Sequence, residues 1–300
     1  MADAHPDPET ASAQMSPARR IALVTGATMA KPDSETHLLV AALSRAGMQA
    51  DVLPWDAPVD WASYALVVVR TPWDYFSRLD EFLGWVTRTG ELTTVLNPPA
   101  LIRWNSHKRY LAELAAQGVP TVPTLWIERG AADGPQRLRT RGWDEVVVKP
   151  AVSIGAIGAL RARTTDPACA AHLAALAATG DVMVQPYLPS VAEEGEVSLI
   201  HFGGVFSHAI RKRPAAGDFR VQDMYGGSVH PHRPDLAEEV LAARLLACLP
   251  SATAYARIDI VRVDGAPALM EIELIEPELF LGADAGAAPR LAEQLIRHVI

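Results

Sequence analysis

Three carboxylates near the end of this 300-residue chain sit at a spacing that suits chemistry. The run Tyr255-Ala-Arg-Ile-Asp-Ile-Val is followed, across Asp264-Gly265, by Leu269-Met-Glu-Ile-Glu-Leu-Ile-Glu. An Asp-Gly pair between two such runs predicts a hairpin with a tight turn. Side chains alternate across a strand, so Arg257 and Asp259 share one face and Glu271 and Glu273 share a face of the partner. Carboxylates crowded in this way repel one another unless a cation neutralises them, and an all-oxygen set is what Mg²⁺ prefers. The plainer alternative is a solvated hairpin with its acids in water. Met270, Ile272, Leu274 and Ile275 speak against it, because they read as a largely buried strand.

Cations complement these acids. Lys149 closes the apolar run Val146-Val-Val and faces a loop of small residues, Pro150–Gly158, whose backbone N–H groups at Ser153–Gly158 could cradle phosphate oxygens. Lys108 falls near the start of a helix. Either lysine alone would be read as an ordinary solvated side chain. Arg211, Lys212, Arg213 and Arg220 gather positive charge around Ala209–Gly227, as a polyphosphate or carboxylate site requires. A charged hairpin tip is the simpler account of any one of them.

The elements that must position these groups follow from periodicity. Ile21–Thr25, Gln49–Pro54 and Leu66–Arg70 are short apolar runs, the first two flanking a helical pattern around His37–Ala46, which predicts a βαβ start to a parallel sheet. The segment after the first strand lacks G-x-G-x-x-G, so no dinucleotide fingerprint is present. Ser106 as N-cap and Gly118 as terminator predict a helix over Ser106–Gln117. Further strands are expected at Val182–Gln185, Val197–Phe202, Val205–Ile210, Ala256–Val263 and Ala268–Leu274, with helices near Pro167–Ala178, Leu236–Leu249 and Pro289–Val299.

Composition narrows the function classes. A hydrophobic content of 49% can bury a sizeable core, and a net charge of −8 offers no basic excess for a nucleic acid or an anionic membrane. Cys169 and Cys248 form no Cys-x-x-Cys pair, so neither a disulfide framework nor a zinc site is indicated. The first twenty residues hold no apolar run suited to a signal or a membrane span and read as a disordered tail on a cytoplasmic protein. A homo-oligomer is compatible with all of this.

In this order the pieces resemble the ATP-grasp superfamily from roughly Trp104 to the C-terminus, with Ile21–Pro99 resembling its N-terminal preceding domain. The resemblance implies an α/β protein with a preceding domain (21–100), a central ATP-grasp lobe (101–184) and a C-terminal lobe carrying the metal site (185–300), the two lobes enclosing ATP. By that resemblance Lys108 and Lys149 contact ATP phosphates beside Ser153 and Gly155. Gln185, Pro186, Tyr187 and Leu188 line the adenine, and Glu196 binds the ribose. Asp259, Glu271 and Glu273 ligate Mg²⁺, Arg211 or Lys212 faces the terminal phosphate, and Arg220 and Arg257 neutralise the acyl phosphate or the substrate carboxylate. The family's metal motif usually ends Glu-x-Asn, whereas Glu273 stands here. Ala209–Gly227, with its Gly217-Asp-Phe-Arg run and Gly226-Gly227, looks like the branch of glutathione synthetase-like and ribosomal-protein-tail glutamate ligases.

A narrower resemblance rests on Arg70-Thr-Pro-Trp-Asp-Tyr, Arg103-Trp-Asn-Ser-His-Lys-Arg-Tyr-Leu and Glu271-Ile-Glu-Leu-Ile-Glu-Pro-Glu-Leu-Phe. These runs are similar to the subfamily containing the D-cycloserine-forming ligase, which cyclises O-ureido-D-serine in antibiotic biosynthesis. It implies a small amino-acid-like carboxylate as substrate and places Arg70 and Trp73 beside it. The rivals are an intermolecular ATP-grasp ligase joining an amino acid or peptide to an amine, and a nucleotide-binding regulatory protein without chemistry.

Overall fold

The computed structural model describes residues 20–27 and 33–299. The tail expected over residues 1–20 lies outside the described residues, except that Arg20 already belongs to the first strand. β1 (Arg20–Thr25), β2 (Gln49–Pro54), β3 (Leu66–Thr71) and β4 (Thr94–Leu96) form a parallel sheet in the order β2-β1-β3-β4. β1 and β3 are covered on both faces, which is why they read as continuous apolar runs. Ile21 and Leu23 meet Leu39 and Leu43 of α1 (Thr36–Arg45) on one face. Ala22 and Val24 meet Phe82, Trp85 and Val86 of α2 (Leu79–Leu92) on the other.

The helix expected over Ser106–Gln117 is two helices, α3 (Pro99–Asn105) and α4 (Tyr110–Ala116). Ser106 turns its hydroxyl back to the Arg103 carbonyl at 2.8 Å and so closes α3 instead of opening a helix. The Lys108 N–H donates to the Ala151 carbonyl at 2.9 Å, so the helix restarts only at Tyr110. Gly118, at φ +82°, ends α4 as expected.

β5 (Leu125–Ile127), β6 (Glu145–Pro150), β7 (Leu160–Arg163) and β8 (Val182–Pro186) make an antiparallel sheet in the order β5-β8-β6-β7. With α5 (Gly134–Arg139) and α6 (Pro167–Thr179) it encloses a small core of its own, centred on Val146, Val148, Leu173 and Val184.

The short α7 (Pro189–Glu193) leads into β9 (Glu196–Phe202), β10 (Val205–Arg213), β11 (Ser228–His232), β12 (Tyr255–Val263) and β13 (Ala266–Glu273). These form an antiparallel sheet in the order β11-β10-β9-β12-β13. One face is covered by α8 (Leu236–Ala247), through Leu241 and Leu245, and by Leu101, Leu111 and Leu114 of α3 and α4. Residues 101–116 therefore share the core of this sheet and not that of the central lobe to which 101–184 was assigned. The expected 185–300 lobe likewise gives up its last helix. The apolar stripe of α9 (Ala287–Ile296), with Leu291 and Leu295, packs with α1 and β1 in the core of the N-terminal domain. Among the described residues no helix is long and apolar enough to cross a membrane.

Candidate active site

The β12–β13 hairpin closes as expected: Asp264 and Gly265 both adopt positive φ, at 50° and 77°. Its register sets Arg257 opposite Glu273 and Asp259 opposite Glu271. One residue later the ladder slips, Ile260 pairing with Leu269, so Met270 is the extra residue of a bulge. That bulge turns Met270 out of the core position expected for it and into the cleft beside Glu271.

On the outer edge of β13 the backbone of residues 120–122 bridges to Leu269, and beyond that bridge three side chains take the place of a strand. The Tyr110 hydroxyl donates to the Ile272 carbonyl (2.9 Å) and accepts from its N–H (3.1 Å). Asn105 donates to the same carbonyl and accepts from the Leu274 N–H, both at 2.9 Å, while Asn97 donates to the Leu274 carbonyl at 2.8 Å. Backbone polarity at this buried edge is thereby satisfied. Glu271 and Glu273, which flank Ile272, are fixed in place with it.

Asp259 is fully buried and accepts from Ser198 Oγ (2.5 Å), Lys212 Nζ (3.1 Å) and Arg257 Nη2 (2.9 Å). Burial pushes its carboxyl upward, but Arg257 and Lys212 outweigh that and hold it below the usual carboxylate range. Arg257 also binds Glu273, and Lys212 pairs with Glu196 at 2.5 Å. Glu271 is held low against its burial by Lys108, at 3.6 Å, and by Lys149. Glu273 is pushed up to about 8, first by burial and then by Glu271 and Asp259, in spite of Arg257. A carboxylate that far out of range among like charges is where a divalent cation fits, and the donor set is all oxygen. Asp259, Glu271 and Glu273 each offer an oxygen within 4.8 Å of the others. Glu271 and Glu273 open onto the cleft, while the oxygens of Asp259 already serve Ser198, Lys212 and Arg257.

The cleft, with a cavity volume of about 110 Å³, lies between the central lobe and the C-terminal sheet. Among its walls are Lys108, Lys149, Ser153, Gly155, the run Gln185-Pro-Tyr-Leu, Glu196, Arg220, Glu271 and Glu273, so residues from distant parts of the chain converge there as the sequence implied. Lys149 stands at the end of β6, where burial lowers its ammonium below the ordinary lysine value, and its nearest polar contact is Met270 Sδ at 3.9 Å. Lys108 Nζ donates to the Ser153 carbonyl at 2.9 Å, tying the first lysine to the small-residue loop. That loop turns through two successive left-handed residues, Gly155 (φ +55°) and Ala156 (φ +61°). Across the mouth, Arg220 is braced by Asp218 (2.8 Å) and lies on the Tyr225 ring, 3.6 Å from its centroid. The Gly226-Gly227 pair has two separate reasons. Gly226 sits at φ +81°, and a Cβ on Gly227 would come within 2.1 Å of the Val221 carbonyl oxygen.

Five expected residues stand away from the cleft wall. Arg211 alternates away from Lys212 on β10 and donates to the Glu194 carbonyl at 2.7 Å, so of the two only Lys212 turns toward the acids. Lys212 and Arg257 themselves lie beneath the cleft surface as counter-ions of Asp259. Arg70 is 1% exposed, paired with Glu35 at 3.0 Å and turned to the Pro277 carbonyl. Trp73 fastens the Glu276 carbonyl through Nε1 at 3.1 Å and is not part of the cleft wall. Sequence reasoning in turn gave no role to Glu276, Phe219 or Met270, all of which line the cleft, nor to Tyr75, whose hydroxyl meets Glu276. The third acid of Glu271-Ile-Glu-Leu-Ile-Glu was the available signal for Glu276.

Comparison with known proteins agrees with this geometry. Residues 21–97 match the family described as the D-cycloserine synthetase DcsG N-terminal domain, and residues 136–280 match the prokaryotic glutathione synthetase ATP-grasp domain. The cycloserine biosynthesis protein DcsG of Streptomyces lavendulae is 36% identical over 301 aligned residues, covering 93% of this chain and 98% of that one. A glutathione synthetase of Prochlorococcus marinus is 28% identical over 69% of this chain and 64% of its own. A crystal structure of D-cycloserine synthetase DcsG superposes with a TM-score of 0.86 at 33% identity, over 94% of this chain and all of that one. The D-alanine–D-alanine ligase of Bacillus anthracis, at 16% identity and a TM-score of 0.67 over 93% of this chain and 97% of its own, shares the fold. The chain belongs to the family of the cycloserine biosynthesis protein DcsG, within the ATP-grasp ligases.

Proposed function

We propose that this ligase uses ATP and Mg²⁺ to activate the carboxylate of O-ureido-D-serine and closes the molecule on itself to D-cycloserine. The observation that carries the reading is Lys149, an ammonium in the cleft wall with no carboxylate within ion-pair distance among the described residues, facing an acid pair across the same space. An unpaired cation opposite paired acids suits a phosphate chain on one side and a metal on the other.

In this reading Lys108 and Lys149 take phosphate oxygens, and the loop Ser153–Gly158 turns backbone N–H groups to them. Glu271 and Glu273 hold Mg²⁺, and Asp259 joins them only where Arg257 yields its place. When bound, the metal would spread the charge that develops on the transferred phosphoryl group. Arg220, carried on the segment across the mouth, meets the activated carboxylate. No side chain needs to act as nucleophile, because positioning and electrostatics carry such transfers. The γ-phosphoryl passes to the substrate carboxylate, and a nitrogen of the same molecule then displaces phosphate, with one water molecule consumed as the carbamoyl group is cleaved to CO₂ and ammonia. Holding the substrate folded makes that attack intramolecular, an advantage of about 7–11 kcal/mol when the geometry is right.

Incubation with ATP, Mg²⁺ and O-ureido-D-serine, followed by mass spectrometry, tests the reading. Cyclic product with stoichiometric ADP is expected. ADP release that needs a second amine, with a condensed product, would replace cyclisation by intermolecular ligation.

A further inference from the structure

Around the cleft each acid but one has a cation within ion-pair distance, two of these cations being shared. Glu196 pairs with Lys212, Asp259 with Lys212 and Arg257, Glu271 with Lys108, and Glu273 with Arg257. Glu276 lines the same cleft and, among the described residues, has no cation within ion-pair distance. Its carboxylate is not loose, however. Tyr75, whose ring is buried in the core of the N-terminal domain, donates its hydroxyl to Glu276 Oε1 at 3.3 Å. Trp73 Nε1 holds the backbone carbonyl of the same residue at 3.1 Å. Two aromatic side chains from the N-terminal domain thus aim a carboxylate into a cleft otherwise walled by the other two lobes.

A carboxylate withdrawn from water is costly unless a positive partner completes it. When the chain does not supply that partner, the ligand can. The phosphates belong with Lys108 and Lys149 and a metal with Glu271 and Glu273, which leaves Glu276 for the remaining ligand, the acid to be activated. We propose that Glu276 is the seat of the substrate's ammonium group, so that the enzyme takes amino acids and rejects carboxylic acids of the same length without the α-amino group. Tyr75 is the positioning residue for that carboxylate. The inference rests on the ligase reading above and adds to it the chemical feature by which the substrate is selected.

The test compares O-ureido-D-serine with the same molecule lacking its α-amino group, in the wild type and in Glu276→Gln, which keeps the shape and removes the charge. A site built for a polar group discriminates strongly against an analogue without it. The wild type is expected to favour the amino substrate by on the order of 10²-fold or more in kcat/KM. Glu276→Gln should raise KM for the amino substrate and collapse that preference while the KM for ATP stays within about twofold, and Glu276→Asp should recover part of the preference. Tyr75→Phe should raise the amino-substrate KM by a smaller factor with the ATP KM unmoved. Undiminished preference in Glu276→Gln overturns the proposal, and so does a variant whose main defect is a raised Mg²⁺ or ATP requirement, since Glu276 would then belong to the metal set. Should the wild type form no cyclic product, ADP release with other amino acids and their deamino counterparts separates the two readings. Selectivity for the ammonium would keep the role of Glu276 and remove only the cyclisation. Equal rates would overturn the role itself.

Discussion

Two buried charge clusters in this molecule are built from the same residue types and serve different ends. In the N-terminal domain Arg70 pairs with Glu35, and the remaining capacity of Glu35 is filled by backbone: Oε1 also accepts from the Leu279 N–H at 2.6 Å and Oε2 from the Leu281 N–H at 2.9 Å. Arg70 in turn reaches the Pro277 carbonyl. The cluster is sealed from solvent, with the carboxylate of Glu35 filled and only Arg70 Nε left without a partner among the described residues, and it clasps the segment 277–281 to the N-terminal sheet. Around Glu271 and Glu273 the acids share Arg257 and Lys108 and keep oxygens turned to an open cleft. Saturation of the carboxylate, not burial or charge alone, separates a structural clasp from a site that still has room for a ligand.

The comparison can be broken most sharply at Arg70. Arg70→Met leaves Glu35 buried and uncompensated, and a loss of about 3–5 kcal/mol in unfolding free energy is expected in urea titrations. Turnover per folded molecule should be nearly unchanged. A stable variant with lost turnover would make Arg70 the substrate contact implied by its sequence run. Next in size, Glu271→Gln and Glu273→Gln should each lower kcat by roughly 10²–10³-fold with little change in thermal midpoint, because a preorganised charge is removed and the shape kept. Normal turnover of both variants at low Mg²⁺ would place the metal elsewhere. The smallest effect sharpens the contrast from behind the site. Asn105→Ala leaves two buried backbone groups of β13 without that partner, so about 1–3 kcal/mol of stability should be lost, together with a raised Mg²⁺ requirement. A stability loss with the Mg²⁺ requirement unchanged would mean that Asn105 supports the fold alone.

Much of the site was legible in the sequence because it depends on strand alternation and turn chemistry, which are local. Alternation puts Arg257 with Asp259 and Glu271 with Glu273, and Asp264-Gly265 closes their strands into a hairpin, but the register begun at that turn would set Asp259 opposite Met270; the bulge there brings Glu271 and Glu273 into line. Lys149 closes an apolar run, so its place at a strand end could be read directly. What escaped depends on partners far away in sequence. Nothing near Arg70 announces that Glu35 and the carbonyl of Pro277 will consume its guanidinium. Ser106 carries the same hydroxyl whether it opens a helix or closes one, and the choice was made by Ala151, which takes the Lys108 N–H. The bulge at Met270 likewise left no mark in the alternation of its neighbours. Glu276 carried no role in the sequence, and it is Tyr75 and Trp73 from the other domain that turn it into a wall of the cleft.

The return of α9 to the N-terminal domain bears on the order in which the molecule can be made. β1, β3 and α1 leave the ribosome early, yet the core they share also needs Leu279, Leu281, Leu291 and Leu295 from the last part of the chain. The clasp at Glu35 waits on the same late segment. The central lobe, whose core is drawn only from residues 125–184, faces no such delay. Within the described residues synthesis therefore runs opposite to completion: a domain begun before the central lobe is finished after it, when α9 arrives.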